Sequence, residues 1–330
     1  MAELHDHGCA VLVAGGAGFL GMHLCRELLG QGHHVLCLDS FISGSRENVA
    51  ALASHPRFEL IEHDVIDPLP RDIRPDAIYN LACPASPPRY QRDPVHTLRT
   101  CVQGAWNLLE RAEQCGAPML QASTSEVYGD AQVHPQHERY HGNVNPVGPR
   151  SCYDEGKRCA ETLCSDFARQ RGTVVKIARI FNTYGPGMTA EDGRVVSNFI
   201  CQALARRPLS VYGDGSQTRS LCYVGDMIDG LLRLMHSSGS FRGPVNLGNT
   251  EELSVLEIAR RICALASDYG PHHIEFMPLP ADDPTSRRPD TTLARRHLQW
   301  RPRVSFQDGL ERTFRYFEHR LTATKSCLPS

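Results

Sequence analysis

"CAVLVAGGAGFLGMHLCRELLGQGHHVLCLDS", residues 9–40, governs how the rest of the chain is read. It opens on an unbroken apolar run suited to a strand buried on both faces. An amphipathic stretch follows, with Leu20, Leu24 and Leu28 on one face, and a second apolar run, HVLCLD, ends in an acid. Strand, glycine turn, helix and strand make one βαβ unit. Gly15, Gly18 and Gly21 fall directly between the first strand and the first helix. Glycine at such positions permits a tight turn, close approach to a pyrophosphate and close helix–strand packing. The helix N-terminus then offers unpaired N–H donors to phosphate. Asp39 closes the second strand, where an acid accepts hydrogen bonds from an adenosine ribose. Its charge repels a 2′-phosphate, which favours NAD over NADP. A plain strand-end Asp is the alternative. Asp64, in HDV after the third strand, reads either as a group reaching the adenine edge or as a turn-former.

Outward from this unit the alternation continues. FELIEHDV (58–65), DAIYNLA (76–82), APMLQA (117–122) and VVKIARIF (174–181) read as strands, and helical stretches span about 93–115 and 153–171. The expected fold is α/β: a doubly wound parallel Rossmann sheet, with ligands at its carboxyl edge and a smaller α/β substrate-binding region at the C-terminal end. Residues 1–182 are expected to form the NAD-binding domain and 183–330 the substrate region, with an indistinct boundary whose segments interleave. Four helices are expected in the latter, over about 196–207, 226–236, 254–267 and 306–320.

The bulk properties narrow the partners. The 330 residues are 41% hydrophobic with a net charge of −2, which gives no global electrostatic reason to bind nucleic acid or an anionic membrane. Thirteen cysteines are scattered through apolar segments without a CxxC pair or zinc-type spacing, so no metal site is expected. MAELHDHG carries mixed charge and no secretory or membrane signal is read at the N-terminus. Reduced cysteines and the missing signal favour a cytoplasmic location.

Two further stretches carry chemistry. STSEVYG (123–129) places Glu126 among hydroxyl groups at the carboxyl end of a strand, and by itself is equally an ordinary solvated turn. YDEGKR (153–158) sets Tyr153 and Lys157 four residues apart, one above the other on a helical face. With lysine only at 157, 176 and 325, about 0.1 such pairs are expected by chance. A nearby ammonium favours a phenolate, so the spacing predicts a Tyr153 pKa lowered toward neutrality. Such a group is a base for a substrate alcohol losing hydride.

The glycine loop, STSEVYG and Tyr-x-x-x-Lys together resemble the extended short-chain dehydrogenases/reductases that act on nucleotide sugars. Longer blocks are similar to the UDP-glucuronate decarboxylases of that group: LACPASPPRYQRDPVHTLRT, GNVNPVGPRSCYDEGKRCAET, ARIFNTYGPGM, DGRVVSNFI, VYGDGSQTRS and DDPTSRRPD. The resemblance runs from about residue 9 to 320. It implies NAD-dependent conversion of UDP-glucuronate to UDP-xylose by oxidation at C4, loss of CO2 from the β-keto acid and re-reduction. In the related 4,6-dehydratases the turn resembles an Asp-Glu pair, and in the 4-epimerases small residues tend to hold both places. Ser125–Glu126 fits neither. A sister epimerase or dehydratase and a non-catalytic NAD-binding scaffold remain the alternatives.

The resemblance also implies roles. Tyr153 is the expected base at the C4 hydroxyl, with Lys157 tuning it and holding the nicotinamide ribose, and Thr124 bonding the same hydroxyl. Glu126 is placed near C5, steering ring pucker or relaying a proton, with its pKa raised by the substrate carboxylate. Ser125 contacts that carboxylate, and Arg287 reaches back to the sugar. The cofactor set extends to Phe19, Leu20, Val65, Leu81, Thr100 and Thr183. Asn182, Tyr212, Gln217 and Arg219 are implied for the nucleotide. Departures from the family pattern fall at Ser40, Arg89, Cys101 and Gly187. The stretches 93–115 and 153–171 resemble the family's dimerising helix pair, implying a homodimer. Leu98, Val102, Ala105, Leu109 and Ala112 recur there at helical spacing, a pattern that a face buried within the chain explains equally well.

Overall fold

Strand β1 (Ala10–Ala14) alternates between two hydrophobic clusters. Val11 and Val13 enter one, Leu12 and Ala14 the other. The same division holds in β2 (His34–Asp39), with Val35 and Cys37 against Leu36 and Leu38. A period of two with both faces apolar requires cover on both sides, and helices supply it. On one side lie α1 (Phe19–Gly30) and the helix Val224–His236; on the other lie the helices Ala105–Cys115 and Ser151–Gln170.

The computed structural model describes residues 8–190, 193–278 and 287–326, with side chains to 321. Of the block DDPTSRRPD, residues 282–286 lie outside the described residues, as do Asp192 and most of the N-terminal stretch. β3 (Phe58–Glu62), β4 (Ala77–Asn80), β5 (Met119–Thr124) and β6 (Val175–Ile180) complete six parallel strands in the order β6-β5-β4-β1-β2-β3. Strand order reverses between β1 and β4, and ligands of open α/β sheets settle at such a crevice.

A seventh strand, Val245–Leu247, pairs in parallel with β6 at the edge of the same sheet. The chain thus returns to the sheet after residue 183. The helix Val224–His236 and Trp300 also join the sheet's core, while other parts of the C-terminal stretch build a core of their own from Phe199, Ile200, Val211, Ile258, Ile262 and Phe314. Its helices run Val195–Leu204, Val255–Leu265 and Phe306–Ser326. No helix among the described residues is long and apolar enough to cross a membrane.

Two local details differ from the sequence reading. β5 extends through Thr124, so Ser123 and Thr124 belong to the strand, and a 3-10 turn begins at Ser125. The helical stretch 93–115 is divided by a π turn at Thr100–Gly104 between the helices Pro94–Arg99 and Ala105–Cys115. The extra residue in a π turn rotates the stripe. Ala105, Leu109 and Ala112 are therefore buried, whereas Leu98 is 42% exposed.

Candidate active site

A cleft of about 640 Å³ opens over the carboxyl ends of the strands, and every site residue expected from the sequence lines it. Gly15, Gly18, Phe19, Leu20, Asp39, Asp64, Val65, Leu81 and Thr100 form one end; Thr124, Ser125, Glu126, Tyr153, Lys157 and Arg287 the middle. Asn182, Thr183, Tyr212, Gln217 and Arg219 stand on the side of the C-terminal region.

The glycine turn is shaped by close backbone approach. Gly15 has φ +78°, and a Cβ there would sit 2.8 Å from the Ala82 nitrogen. A Cβ on Gly21 would meet the Gly15 carbonyl at 2.1 Å. The Asp39 carboxylate accepts from the Ala17 amide at 2.9 Å and the Phe41 amide at 2.8 Å. Burial pushes its pKa up against those two bonds. Asp64 is held by His96, 2.8 Å away, and by the Ile66 amide, while Thr100 donates to the His96 carbonyl.

Tyr153 and Lys157 project from the first two turns of Ser151–Gln170 toward the end of β5. Lys157 is buried and donates to the Ala122 carbonyl at 2.9 Å. The Thr124 hydroxyl faces the Tyr153 phenol and favours its ionised form, while its oxygen accepts the Glu126 amide at 3.2 Å. The expected lowering of the Tyr153 pKa is not found. Burial pushes it well up, and Cys83, Cys101 and Glu126 add to the rise. The Lys157 ammonium lies 5.8 Å from the ring centre and bonds a backbone carbonyl instead. Desolvation outweighs that distant charge.

Glu126 is an ion-paired group. Its carboxylate is gripped from both sides, by Arg287 at 3.3 Å through two nitrogens and by Arg150. Burial opposes ionisation, but the two guanidinium groups and the Ser125 hydroxyl win and bring the pKa down to about 2. The carboxylate is therefore charged at neutral pH in the protein alone, and the expected rise belongs to the complex with a facing substrate carboxylate.

Three neighbours escaped the sequence reading. Arg150 lies three residues before Tyr153, one helical turn away, so its reach into the site was legible from spacing alone. Tyr90, from PPRY, stacks on Tyr153 with ring centres 5.1 Å apart and planes within 3°, and its hydroxyl is buried without a partner. Asp154 is buried with one oxygen unpartnered; burial, then the Glu126 charge, raise its pKa to about 7. No local motif announces either of the last two.

Among known proteins, the family model "NAD dependent epimerase/dehydratase family" matches residues 11–248. UDP-glucuronic acid decarboxylase 1 of Arabidopsis thaliana is 50% identical over 94% of this chain and 70% of its own length. Its Danio rerio namesake is 51% identical over 94% and 73%. The chain belongs to the UDP-glucuronic acid decarboxylases of that family. Among solved structures, the UDP-glucuronic acid 4-epimerase of Bacillus cereus, in complex with UDP-glucuronic acid and NAD, is 27% identical. Its TM-score is 0.83, with 94% of this chain and 99% of that one covered.

NAD is the cofactor of this decarboxylase, and the residues fit it. The Gly15–Gly21 turn leaves no room for a side chain where a pyrophosphate approaches, and α1 begins at Phe19 without a side-chain cap on its N-terminal amides. Asp39 lies at the end of β2, the position at which an acid of this fold would meet the cofactor's ribose.

Proposed function

We propose that this decarboxylase converts UDP-glucuronate to UDP-xylose with residues of the one cleft in distinct roles. A bound NAD, held by the Gly15–Gly21 turn and Asp39, would supply the hydride acceptor for C4 and the hydride for the closing reduction. Tyr153 takes the proton from the C4 hydroxyl, and Lys157 holds the turn of helix on which it stands. Thr124 bonds the same oxygen and stabilises the negative charge that gathers there when CO2 leaves the β-keto acid. Ser125 meets the sugar carboxylate. Glu126, ionised in the protein alone, holds Arg287 and Arg150 as paired cations facing the substrate acid. Asn182, Tyr212, Gln217 and Arg219 serve the nucleotide of the substrate and Thr183 the nicotinamide, so residues 183–330 supply most of the substrate side and 1–182 most of the cofactor side.

The observation that supports this reading best is the convergence of the β5 end and the first turns of Ser151–Gln170. They set Thr124, Glu126 and Tyr153 around one point of the cleft, with Arg287 arriving from the C-terminal region. Incubation with UDP-glucuronate and NAD, with CO2 release and product mass followed together, tests it. A nucleotide sugar lighter by one carboxyl group is expected. An isobaric product would mean epimerisation instead, and absence of turnover a scaffold.

The decarboxylase also acts as a homodimer in this reading. Val95, Leu98, Val102 and Trp106 follow one another at three- and four-residue spacing across the π turn, and Val95 is 69% exposed. An outward apolar stripe of this kind suits a second copy. The cytoplasm fits the twelve cysteines of the described residues, all free.

A further inference from the structure

The cleft holds a pair of cysteines that the decarboxylation does not use. Cys83 follows β4 and lines the cleft, and Cys101 lies behind it in the π turn. Their sulfurs are 3.3 Å apart, and the Cys83 thiol is also 3.3 Å from the Pro84 carbonyl. Cys101 packs on the catalytic helix. A methyl group at Gly156 would stand 2.9 Å from the Cys101 Cβ and 3.1 Å from its sulfur. Gly156 lies between Tyr153 and Lys157, so the two sulfurs back the turn that carries both.

The environment makes the pair reactive. The Cys83 contact and the Lys157 ammonium hold the Cys101 thiol below its usual range, whereas burial pushes Cys83 up. Thiolate character, access and an adjacent resolving thiol define an oxidant-sensitive site. Access comes through Cys83 at the cleft wall. Cys25 and Cys37 also lie side by side, but they are sealed in the core beneath the glycine turn and line no cavity.

We propose that Cys83 and Cys101 form an oxidant-sensitive dithiol in the catalytic cleft, which a peroxide closes to a disulfide and a thiol reductant reopens. The Cys101 thiolate takes the Cys83 proton across their contact, the Cys83 thiolate at the cleft wall attacks one peroxide oxygen, the O–O bond breaks, and the departing hydroxide takes up a proton as water. The Cys101 sulfur then attacks the Cys83 sulfenic sulfur, the S–O bond breaks, and a second water leaves with the Cys101 proton. Two thiols are oxidised by two electrons and one peroxide is reduced to two waters. A disulfide bond of about 2.05 Å draws the sulfurs roughly 1.3 Å closer than the 3.3 Å they now keep. That movement falls on the loop after β4 and on the π turn, both packed behind Tyr153 and Lys157. Turnover is therefore slowed in the closed form.

The test treats the full chain with hydrogen peroxide, blocks remaining thiols, and maps peptides without reduction. The expected result is a cross-linked Cys83–Cys101 peptide and decarboxylation slowed at least about tenfold, restored by dithiothreitol. Cys101→Ser and Cys101→Ala are expected to turn over as the parent does and to keep that activity through the same treatment. Inactivation of the Cys101 variants to the same extent overturns the proposal. So does oxidation without the cross-link, or a cross-link that leaves turnover unchanged. Because the peptide map needs no turnover, failure of the dithiol is distinguishable from failure of the decarboxylase reading.

Discussion

Glu126 stands between two guanidinium groups, and that placement governs its behaviour toward pH. Its pKa of about 2 lies below the 4.5 of a free glutamate. Its contribution is thus fully present above pH 4.5 and is lost as pH falls from there toward 2. The difference corresponds to stability on the order of 3 kcal/mol. Glu126→Gln should remove that acid-side slope and leave two buried cations poorly matched. Unfolding in urea at pH 7 should then show a loss of about 3 kcal/mol, with the difference from the parent narrowing toward pH 2. Tyr153→Phe makes the opposite test, since it keeps the ring stacked on Tyr90 and removes only the oxygen. Cofactor binding measured by calorimetry should survive, while turnover falls by about 10² to 10⁴. Undiminished turnover would remove Tyr153 from its role as base. What the sequence did not convey at this scale is environment. Four-residue spacing placed Lys157 beside Tyr153, but only the fold reveals that Lys157 spends its ammonium on the Ala122 carbonyl and that burial lifts the phenol.

At the scale of elements, legibility followed how local the determining forces are. β1, α1 and β2 were readable because apolar runs, helical spacing and three glycines all act within thirty residues, and the structure places them at Ala10–Ala14, Phe19–Gly30 and His34–Asp39. The π turn was not readable. Its Cys101 packs against Gly156, more than fifty positions away, and no spacing within 93–115 signals it. The glycine turn yields the sharpest prediction here. Gly15→Ala imposes a side chain at φ +78° and drives a methyl group to 2.8 Å from the Ala82 amide, backbone that cannot swing aside. The β1–β4 crevice must open to accept it, so NAD affinity should fall by at least about tenfold, with a lowered melting temperature. Unchanged NAD binding in a titration would show that the turn tolerates what its geometry forbids.

Across the whole molecule, the sheet and its crevice were legible, while the path of the chain through them was less so. The edge strand Val245–Leu247 is three residues long, too short to signal itself, and it joins the sheet only because β6 offers a free edge. The outward face is a similar case. Read as one continuous helix, 93–115 presents a single stripe from Leu98 to Ala112, whereas the π turn splits it into a buried half and an exposed one. The exposed half, Val95, Leu98 and Trp106 with the half-buried Val102, lies beside Ser151–Gln170, where Trp106 packs edge-on to Phe167. If a second copy covers this stripe, charge placed there is desolvated on association and must oppose it. Leu98→Glu, 42% exposed in the single chain, can fold without burying its carboxylate. It should give monomers in sedimentation velocity at concentrations where the parent is dimeric, with a melting temperature lowered by no more than loss of the partner explains. Its catalytic turn contacts the same helices, so a fall in turnover that parallels dissociation would tie the dimer to the site. A parent that sediments as a monomer, or a Leu98→Glu variant that remains dimeric, would place the subunit contact elsewhere or nowhere.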